Sequence, residues 1–137
     1  MKRCILSALV ALPLLLAGTL ALADPEPQTQ DGVGYVSGGV GKDERATLGT
    51  MRKDYNLAVL FARKSDRSFL SDIKVKVSDQ SGKVVLEQTS NGPWLYVNLN
   101  AGKYKLSAED DGEMVTRKVS VNEKHTTRLV VYFKKSK

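Results

Sequence analysis

Residues 92–108, GPWLYVNLNAGKYKLSA, decide the fold of this chain. Apolar and other side chains alternate along this stretch on both sides of Asn100-Ala101-Gly102, three residues typical of a turn. Alternation with a period of two predicts half-buried strands, and a short glycine-containing turn between two such strands predicts an antiparallel hairpin. The stretch therefore predicts β structure at the centre of the chain.

The same alternation continues in both directions from this hairpin. Upstream, residues 56–63 (NLAVLFAR) are apolar on both faces, which predicts a central strand, and residues 73–87 predict two strands around the turn 79–82. Downstream, residues 115–121 and 128–133 predict two more strands. Seven short strands separated by turns predict an all-β protein with a β-sandwich fold.

Residues 92–108 resemble the central hairpin of carboxypeptidase regulatory-like domains. The shared pattern is an apolar strand, a small turn that ends in glycine, and then Tyr104-x-Leu106-x-Ala108. The hairpin at 73–86 fits the same family, so the resemblance covers residues 56–133. It implies a seven-stranded, transthyretin-like Greek-key sandwich. The hydroxyisourate hydrolases are the enzymatic branch of that fold and use several histidines, whereas this chain has one, His125. This departure from the enzymatic branch leads us to expect that the protein is not an enzyme.

The first 23 residues have the pattern of a secretory signal peptide. Lys2 and Arg3 precede a short apolar run, and Ala21-Leu22-Ala23 supplies a small-x-small cleavage site. Cleavage there removes Cys4, which is the sole cysteine, and leaves a protein without an integral membrane segment. We therefore expect a periplasmic or secreted protein that begins at Asp24. The segment SGGVGKDER at 37–45 also resembles a segment of small exported proteobacterial proteins.

Residues 24–54 are predicted to precede the sandwich, which is assigned to residues 55–137. Residues 24–30 have the polar, proline-containing composition of a disordered leader, and residues 31–41 that of a glycine-rich loop. Residues 42–54 predict one short helix with a narrow apolar stripe, formed by Leu48, Met51 and Tyr55. Gly49 weakens this helix, so it requires a surface on which to pack.

The polar residues predict neither a metal site nor a cofactor site. His125 has no histidine or cysteine partner at a ligand spacing. The acidic run at 109–113 does not match a calcium-binding loop and is typical of a solvated hairpin turn. The glycines at 38–41 lack the Lys-Ser/Thr pair of a phosphate-binding loop. We expect no cofactor, no metal and no catalysis.

Trp94 and Tyr96 are the candidate binding residues, because they alternate with Leu95 and Val97 and so face away from them. Two aromatic side chains on an outer face form a platform for a sugar ring or a peptide. The alternative is that the helix 42–54 covers them, and an intermediate arrangement would cover Trp94 and leave Tyr96 exposed.

The expected function is that of a non-catalytic binding or protein-interaction module of the bacterial cell envelope, acting through the aromatic face or by strand addition at a sheet edge. The alternative is a carbohydrate- or wall-binding module that uses an exposed Trp94 and Tyr96. The formal charge is +6, and the basic residues are concentrated after residue 113, which suits an anionic partner or a soluble sheet edge. The chain has no nucleic-acid-binding motif, and we expect a monomer or a weak edge-to-edge dimer.

Overall fold

The computed structural model describes residues 25–134, so the predicted signal peptide lies outside the described residues. Nine strands and one helix form in that range. In chain order they are β1 (Gln28–Gln30), β2 (Val33–Gly38), α1 (Lys42–Met51, continued by a 3₁₀ turn at Arg52–Asp54), β3 (Leu57–Arg63), β4 (Ile73–Asp79), β5 (Val84–Ser90), β6 (Trp94–Val97), β7 (Gly102–Asp110), β8 (Glu113–Val121) and β9 (Thr127–Phe133).

The strands form two sheets that pack face to face as a β-sandwich. Sheet A has the strand order β1-β2-β6-β3-β9, in which β3 and β9 are parallel and the other pairs antiparallel. Sheet B has the order β5-β4-β7-β8 and is antiparallel throughout. The prediction of an all-β sandwich with one short helix is confirmed. The antiparallel hairpin predicted at residues 92–108 is wrong: β6 pairs with β2 and β3 in sheet A, β7 pairs with β4 and β8 in sheet B, and the turn between them crosses from one sheet to the other.

The main core lies between the two sheets and is built by the alternating positions of the predicted strands. Sheet A contributes residues such as Val59, Leu95 and Val131, and sheet B contributes residues such as Val77 and Leu106. These five side chains are each 0 % exposed. Because successive side chains of a strand point to opposite faces, burial of one alternate set places the other set on the outer face of its sheet.

The predicted count of seven strands is wrong, because two further strands form near the N-terminus. β1 and β2 lie in residues predicted to be a disordered leader and a glycine-rich loop. β2 pairs with β6 over four residue pairs, from Tyr35 opposite Val97 to Gly38 opposite Trp94. The glycines permit this approach, since a Cβ on Gly92 would collide with the backbone of Gly38.

The helix forms at the predicted residues and packs on the outer face of sheet A. Its only buried residue is Leu48, and no side chain caps its N-terminus. Glu44, in its first turn, accepts a hydrogen bond from the backbone N–H of Gly39 at 3.0 Å, which ties the helix to the end of β2. The helix is short and weakly capped, so packing on the sheet provides most of its stability.

Side chains also bridge both open edges of the sandwich. At one edge the Gln30 side chain of β1 accepts a hydrogen bond from the backbone N–H of Glu87 in β5, at 3.0 Å. At the other edge Arg117 of β8 donates to the carbonyl of Val130 in β9, at 3.4 Å, and Glu113 accepts from the backbone N–H of Lys134, at 2.9 Å. Part of the backbone at these edges is therefore occupied by side chains from the opposite sheet.

No helix within residues 25–134 is long and apolar enough to cross a membrane.

Candidate functional site

The two aromatic residues predicted to bind a ligand lie on the outer face of sheet A, as their alternation with Leu95 and Val97 requires. Leu95 and Val97 are fully buried in the core between the sheets. Trp94 and Tyr96 instead belong to a second apolar cluster on the opposite face. Their ring centroids are 6.0 Å apart, and the rings are tilted by 59°.

Tyr96 is not exposed, so the predicted platform of two exposed rings does not form. Its side chain is only 2 % exposed. It packs among residues of the helical segment and of the neighbouring strands, namely Val36, Leu48, Tyr55 and Ala58. The helix covers this part of the sheet because its apolar stripe has no other surface to bury it. The predicted intermediate arrangement, in which the helix covers Trp94 and leaves Tyr96 exposed, is therefore reversed. The helix covers Tyr96, and Trp94 is the partly exposed residue.

Tyr55 makes the second aromatic contact of this outer cluster. Its ring centroid lies 5.9 Å from that of Tyr96, and its side chain is buried. Burial raises the pKa of the Tyr55 hydroxyl, and the nearby negative charge of Asp54 raises it further. Tyr55 is therefore a packing residue, and the folded protein favours the neutral form of its hydroxyl.

Trp94 is half-buried at the margin of the helix, and two arginine side chains lie close to its indole ring. A Cβ on Gly39 would lie 2.9 Å from Trp94 Cδ1, so the indole packs directly on a glycine backbone with a φ of +98°. The guanidinium carbons of Arg52 and Arg128 are each 5.8 Å from the centre of the Trp94 ring. Both distances are within the range of cation–π attraction. Trp94 is therefore the centre of a cluster that combines an aromatic ring with two fixed positive charges.

Apolar residues continue from Trp94 across the part of sheet A that the helix leaves uncovered. Leu60 of β3 lies opposite Trp94 on one side and opposite Val130 of β9 on the other. Two residues further along β3, Ala62 lies opposite Tyr132 on one side and opposite Phe69 on the other. Residues directly opposite one another in a sheet share a face. We call this set the apolar strip: Trp94, Leu60, Val130, Ala62, Tyr132 and Phe69.

The apolar strip is partly open to solvent. Phe69 is 49 % exposed and Tyr132 is 36 % exposed, while Leu60 and Val130 are half-buried. The outer face of a sheet that is in contact with water usually carries polar side chains at these positions. An apolar set that continues across three strands and a loop is a feature of interaction surfaces.

The guanidinium groups beside Trp94 meet no carboxylate of residues 25–134. The salt bridge within those residues joins Arg63 to Asp66, at 3.8 Å, and involves neither Arg52 nor Arg128. The Nε of Arg52 is buried and has no hydrogen-bond partner. The Trp94 indole N–H likewise makes no hydrogen bond in this part of the chain. The cluster therefore presents positive charge and the indole N–H of Trp94 next to an apolar surface, while the Arg52 Nε is buried beneath it.

The residues considered for metal binding or catalysis are placed apart from this cluster. His125 is exposed in a polar cavity of about 420 Å³ at the end of the sandwich, near Asn98 and Asn100. Asp110 is the last residue of β7, and Asp111 lies in the tight turn between β7 and β8. No group of three His, Cys, Asp or Glu side chains in the described range is arranged to hold a metal ion.

A second cavity, of about 430 Å³, lies on the outer face of sheet B. It is lined by side chains of opposite charge on neighbouring strands, among them Lys74, Lys76, Glu87 and Glu109. Lys76 lies opposite Glu87, and Lys74 lies opposite Glu109. Alternating charges across strands are typical of a solvated sheet face. We therefore do not assign a site to this cavity.

The sequence indicated Trp94 but not the other members of the cluster. Arg52, Leu60 and Arg128 come from three separate segments: the pairing of β3 with β6 and β9 brings Leu60 and Arg128 beside Trp94, and the 3₁₀ turn after α1 brings Arg52 there. One signal was present: residues 56–63 are apolar on both faces, so one of these faces had to lie against something other than the main core.

Comparisons with known proteins add little to this description. No protein-family model matches the sequence, and no curated protein matches it. Among solved structures, the chain is similar to the major pilin subunit of Bacillus cereus, with a TM-score of 0.47 and 16 % sequence identity. The match covers 58 % of this chain and 29 % of the pilin chain, so this protein spans less than a third of the pilin's length.

Proposed function

We propose that this protein is a non-catalytic binding module of the bacterial cell envelope that holds a protein partner on the apolar strip. The observation that supports the proposal is the uncovered half of sheet A. The cluster beneath the helix holds Tyr96 and Ala58. Outside it, Phe69 and Tyr132 are exposed and Leu60 and Val130 are half-buried, while Ala62 between them is 2 % exposed. Burial of such side chains against a partner is favourable by about 25 cal/mol for each Å² of apolar surface removed from water.

The composition of the site also favours a protein partner. Trp, Tyr and Arg are the residues most enriched among those that dominate the energetics of protein interfaces. Here Trp94, Tyr132, Arg52 and Arg128 lie on one face, and Trp94 is held in place by its contact with Gly39. A pre-ordered aromatic residue loses little conformational entropy on binding, which increases the affinity that a given contact provides.

The carbohydrate-binding alternative is weaker. It requires two exposed rings on which sugars stack, and Tyr96 is 2 % exposed. Trp94 alone remains as a partly exposed ring, and two guanidinium groups lie against it. A glycan ligand is therefore one outcome of the experiment below and not the function we propose.

We also propose that the sandwich is of the carboxypeptidase regulatory-like, transthyretin-like type, and that it reaches the envelope through the signal peptide at residues 1–23. The turn at 100–102 supports the first point, because the Tyr104 hydroxyl donates a hydrogen bond to the carbonyl of Asn100 at 2.7 Å. The tyrosine of the shared pattern thus closes the turn that the pattern contains.

The experiment is an affinity capture from envelope extract with the mature chain, compared between two double variants. Phe69→Ser with Tyr132→Ser removes the two most exposed members of the apolar strip. Val84→Ser with Met114→Ser is the matched control, because these side chains are 42 % and 65 % exposed but belong to sheet B. All three proteins are first shown to have the same circular dichroism and thermal midpoint.

We expect one stoichiometric protein that is retained by the wild type and by the sheet B variant and lost by the strip variant. Retention of the same protein by both variants would contradict the assignment of the surface. Capture of wall or outer-membrane glycan in place of a protein would support the carbohydrate alternative.

A further inference from the structure

We propose that the partner presents an acidic segment, with carboxylate groups that bind Arg52 and Arg128 on either side of an apolar side chain placed against Trp94. This inference rests on the proposed function, since it uses the same surface, and it adds the chemistry of the partner. The cluster of Arg52, Trp94 and Arg128 is called the cationic cluster below.

The cationic cluster has the charge that such a partner requires. Both guanidinium groups lie 5.8 Å from the centre of the Trp94 ring, and neither meets a carboxylate in residues 25–134. Arginine presents a planar fork of donors that matches a carboxylate in two parallel hydrogen bonds. Two such groups next to one another, without an internal counter-charge, form a surface that attracts anions.

The opposite end of the apolar strip is also positively charged. Lys64 and Arg67 are exposed in the loop after β3, and Lys134 is exposed at the end of β9. This end also carries carboxylates: Asp66 is engaged by the backbone N–H and the hydroxyl of Ser68, at 3.0 and 2.8 Å, Asp72 is exposed just before β4, and Glu113 accepts from the backbone N–H of Lys134. Exposed cations are therefore present at both ends of the strip, but only at the cationic cluster are they without a nearby carboxylate, so the acidic groups of the partner are assigned to that end.

The donors at the cationic cluster define the partner further. The Trp94 indole N–H makes no hydrogen bond within the described residues, so a carboxylate or carbonyl oxygen of the partner is able to accept it. Leu60 and Val130 follow directly beside Trp94 and accommodate an aliphatic or aromatic side chain. The recognised element thus combines acidic and apolar residues within a few positions.

A protein segment fits this surface better than an anionic bilayer does. Phe69 and Tyr132 are exposed aromatic residues of the kind that insert in a bilayer interface, but the ring beside the two guanidinium groups, Trp94, is half-buried beside the helix and packs on Gly39. Both guanidinium groups lie 5.8 Å from the centre of that half-buried ring. Trp and Arg are among the residues most enriched in the hot spots of protein interfaces, so the composition of the cluster favours a protein segment.

The test is a selection from a phage library of random twelve-residue peptides on the immobilised mature chain. The same selection is made on Arg52→Glu with Arg128→Glu, and on Lys74→Glu with Lys76→Glu as the control. The control makes the same change of charge on the outer face of sheet B. Selected peptides are then synthesised, and their binding is followed by the fluorescence of Trp94, the sole tryptophan.

We expect the wild type and the control to select peptides with Asp or Glu near an apolar residue. We expect these peptides to bind the Arg52→Glu, Arg128→Glu variant at least tenfold more weakly, and that variant to select basic peptides instead. Binding to the wild type is expected to weaken as the salt concentration rises.

Two outcomes would overturn the inference. Selection of neutral or basic peptides by the wild type, or equal binding to the charge-reversed variant, contradicts an acidic partner but leaves the proposed binding surface in place. Failure to select any peptide, together with binding to vesicles of phosphatidylglycerol, shows that the surface recognises an anionic lipid. Failure of the proposed function is recognised separately, because peptides would then bind equally well after substitution of Phe69 and Tyr132.

Discussion

Replacement of Leu48 by alanine perturbs the contact that holds the helix on sheet A. Leu48 is 1 % exposed and is the only buried residue of α1. The substitution removes three carbon atoms from the outer cluster, and at about 0.8 kcal/mol for each buried carbon the lost transfer free energy is about 2.4 kcal/mol. A cavity left behind raises such losses into the range of about 2.7–5.0 kcal/mol. Because the short helix is able to shift toward the sheet, we expect the low end of that range, about 2.7–3 kcal/mol.

The assay is urea unfolding followed by Trp94 fluorescence and by far-ultraviolet circular dichroism. Leu106→Ala is the matched control, because Leu106 is 0 % exposed in the rigid core between the sheets, and we expect it to lose about 4–5 kcal/mol. In Leu48→Ala we also expect faster amide hydrogen exchange in α1, with unchanged exchange in β4 and β7. A loss under about 0.5 kcal/mol for Leu48→Ala, the size of a surface substitution, would refute the packing of the helix on the sheet.

Three further predictions concern the rest of the fold. Gly92→Ala places a Cβ against the backbone of β2, and we expect it to lower the free energy of unfolding by about 3 kcal/mol in the same urea assay. Gly34→Ala is the control: a Cβ there meets open space, so we expect a change of less than about 0.5 kcal/mol. Asn56→Ala removes two hydrogen bonds to the backbone of Leu99, of 2.6 and 2.9 Å, and is expected to lower the thermal midpoint through a loss of about 2 kcal/mol; an unchanged midpoint would contradict this. Burial raises the pKa of the Tyr55 hydroxyl above its value in the unfolded chain, so the contribution of the neutral side chain to stability is complete below about pH 10 and is lost as the pH rises further. We expect Tyr55→Phe to reduce the slope of the unfolding free energy against pH above about pH 10. An identical slope in the variant would contradict the raised pKa of Tyr55.

The strands from β3 to β9 could be predicted because their signal is local. Each of these strands alternates in polarity or is continuously apolar, and each is bounded by turn residues. The helix could be predicted for the same reason, from the spacing of Leu48 and Met51 and the acidic residues of its first turn.

β1 and β2 could not be predicted, because their stability comes from distant residues. β2 contains two glycines, and β1 is a polar segment of three residues, so neither has a strand composition of its own. The four residue pairs between β2 and β6 and the close approach of Gly38 to Gly92 hold them in sheet A. Such pairing is a tertiary effect that overrides local preference.

The candidate site was predictable only in part. Alternation determines that Trp94 and Tyr96 share a face, but it does not determine which of them the helix covers. Burial of Tyr96 follows from the position of Leu48 and Tyr55 on that face. Arg52 lies beside Trp94 because of the 3₁₀ turn after α1, and Arg128 lies there because β9 pairs in parallel with β3. Neither feature has a local sequence signal.

The central claim is that the apolar strip, and not sheet B, is the binding surface in the cell. The most direct measurement is photo-crosslinking in the intact exporting bacterium, with p-benzoylphenylalanine at position 69 in one strain and at position 114 in another. These side chains are both exposed, at 49 % and 65 %, and lie on different sheet faces. We expect a discrete crosslinked protein from position 69 that is absent from position 114. A discrete product from position 114 alone, or the same product from both positions, would contradict it.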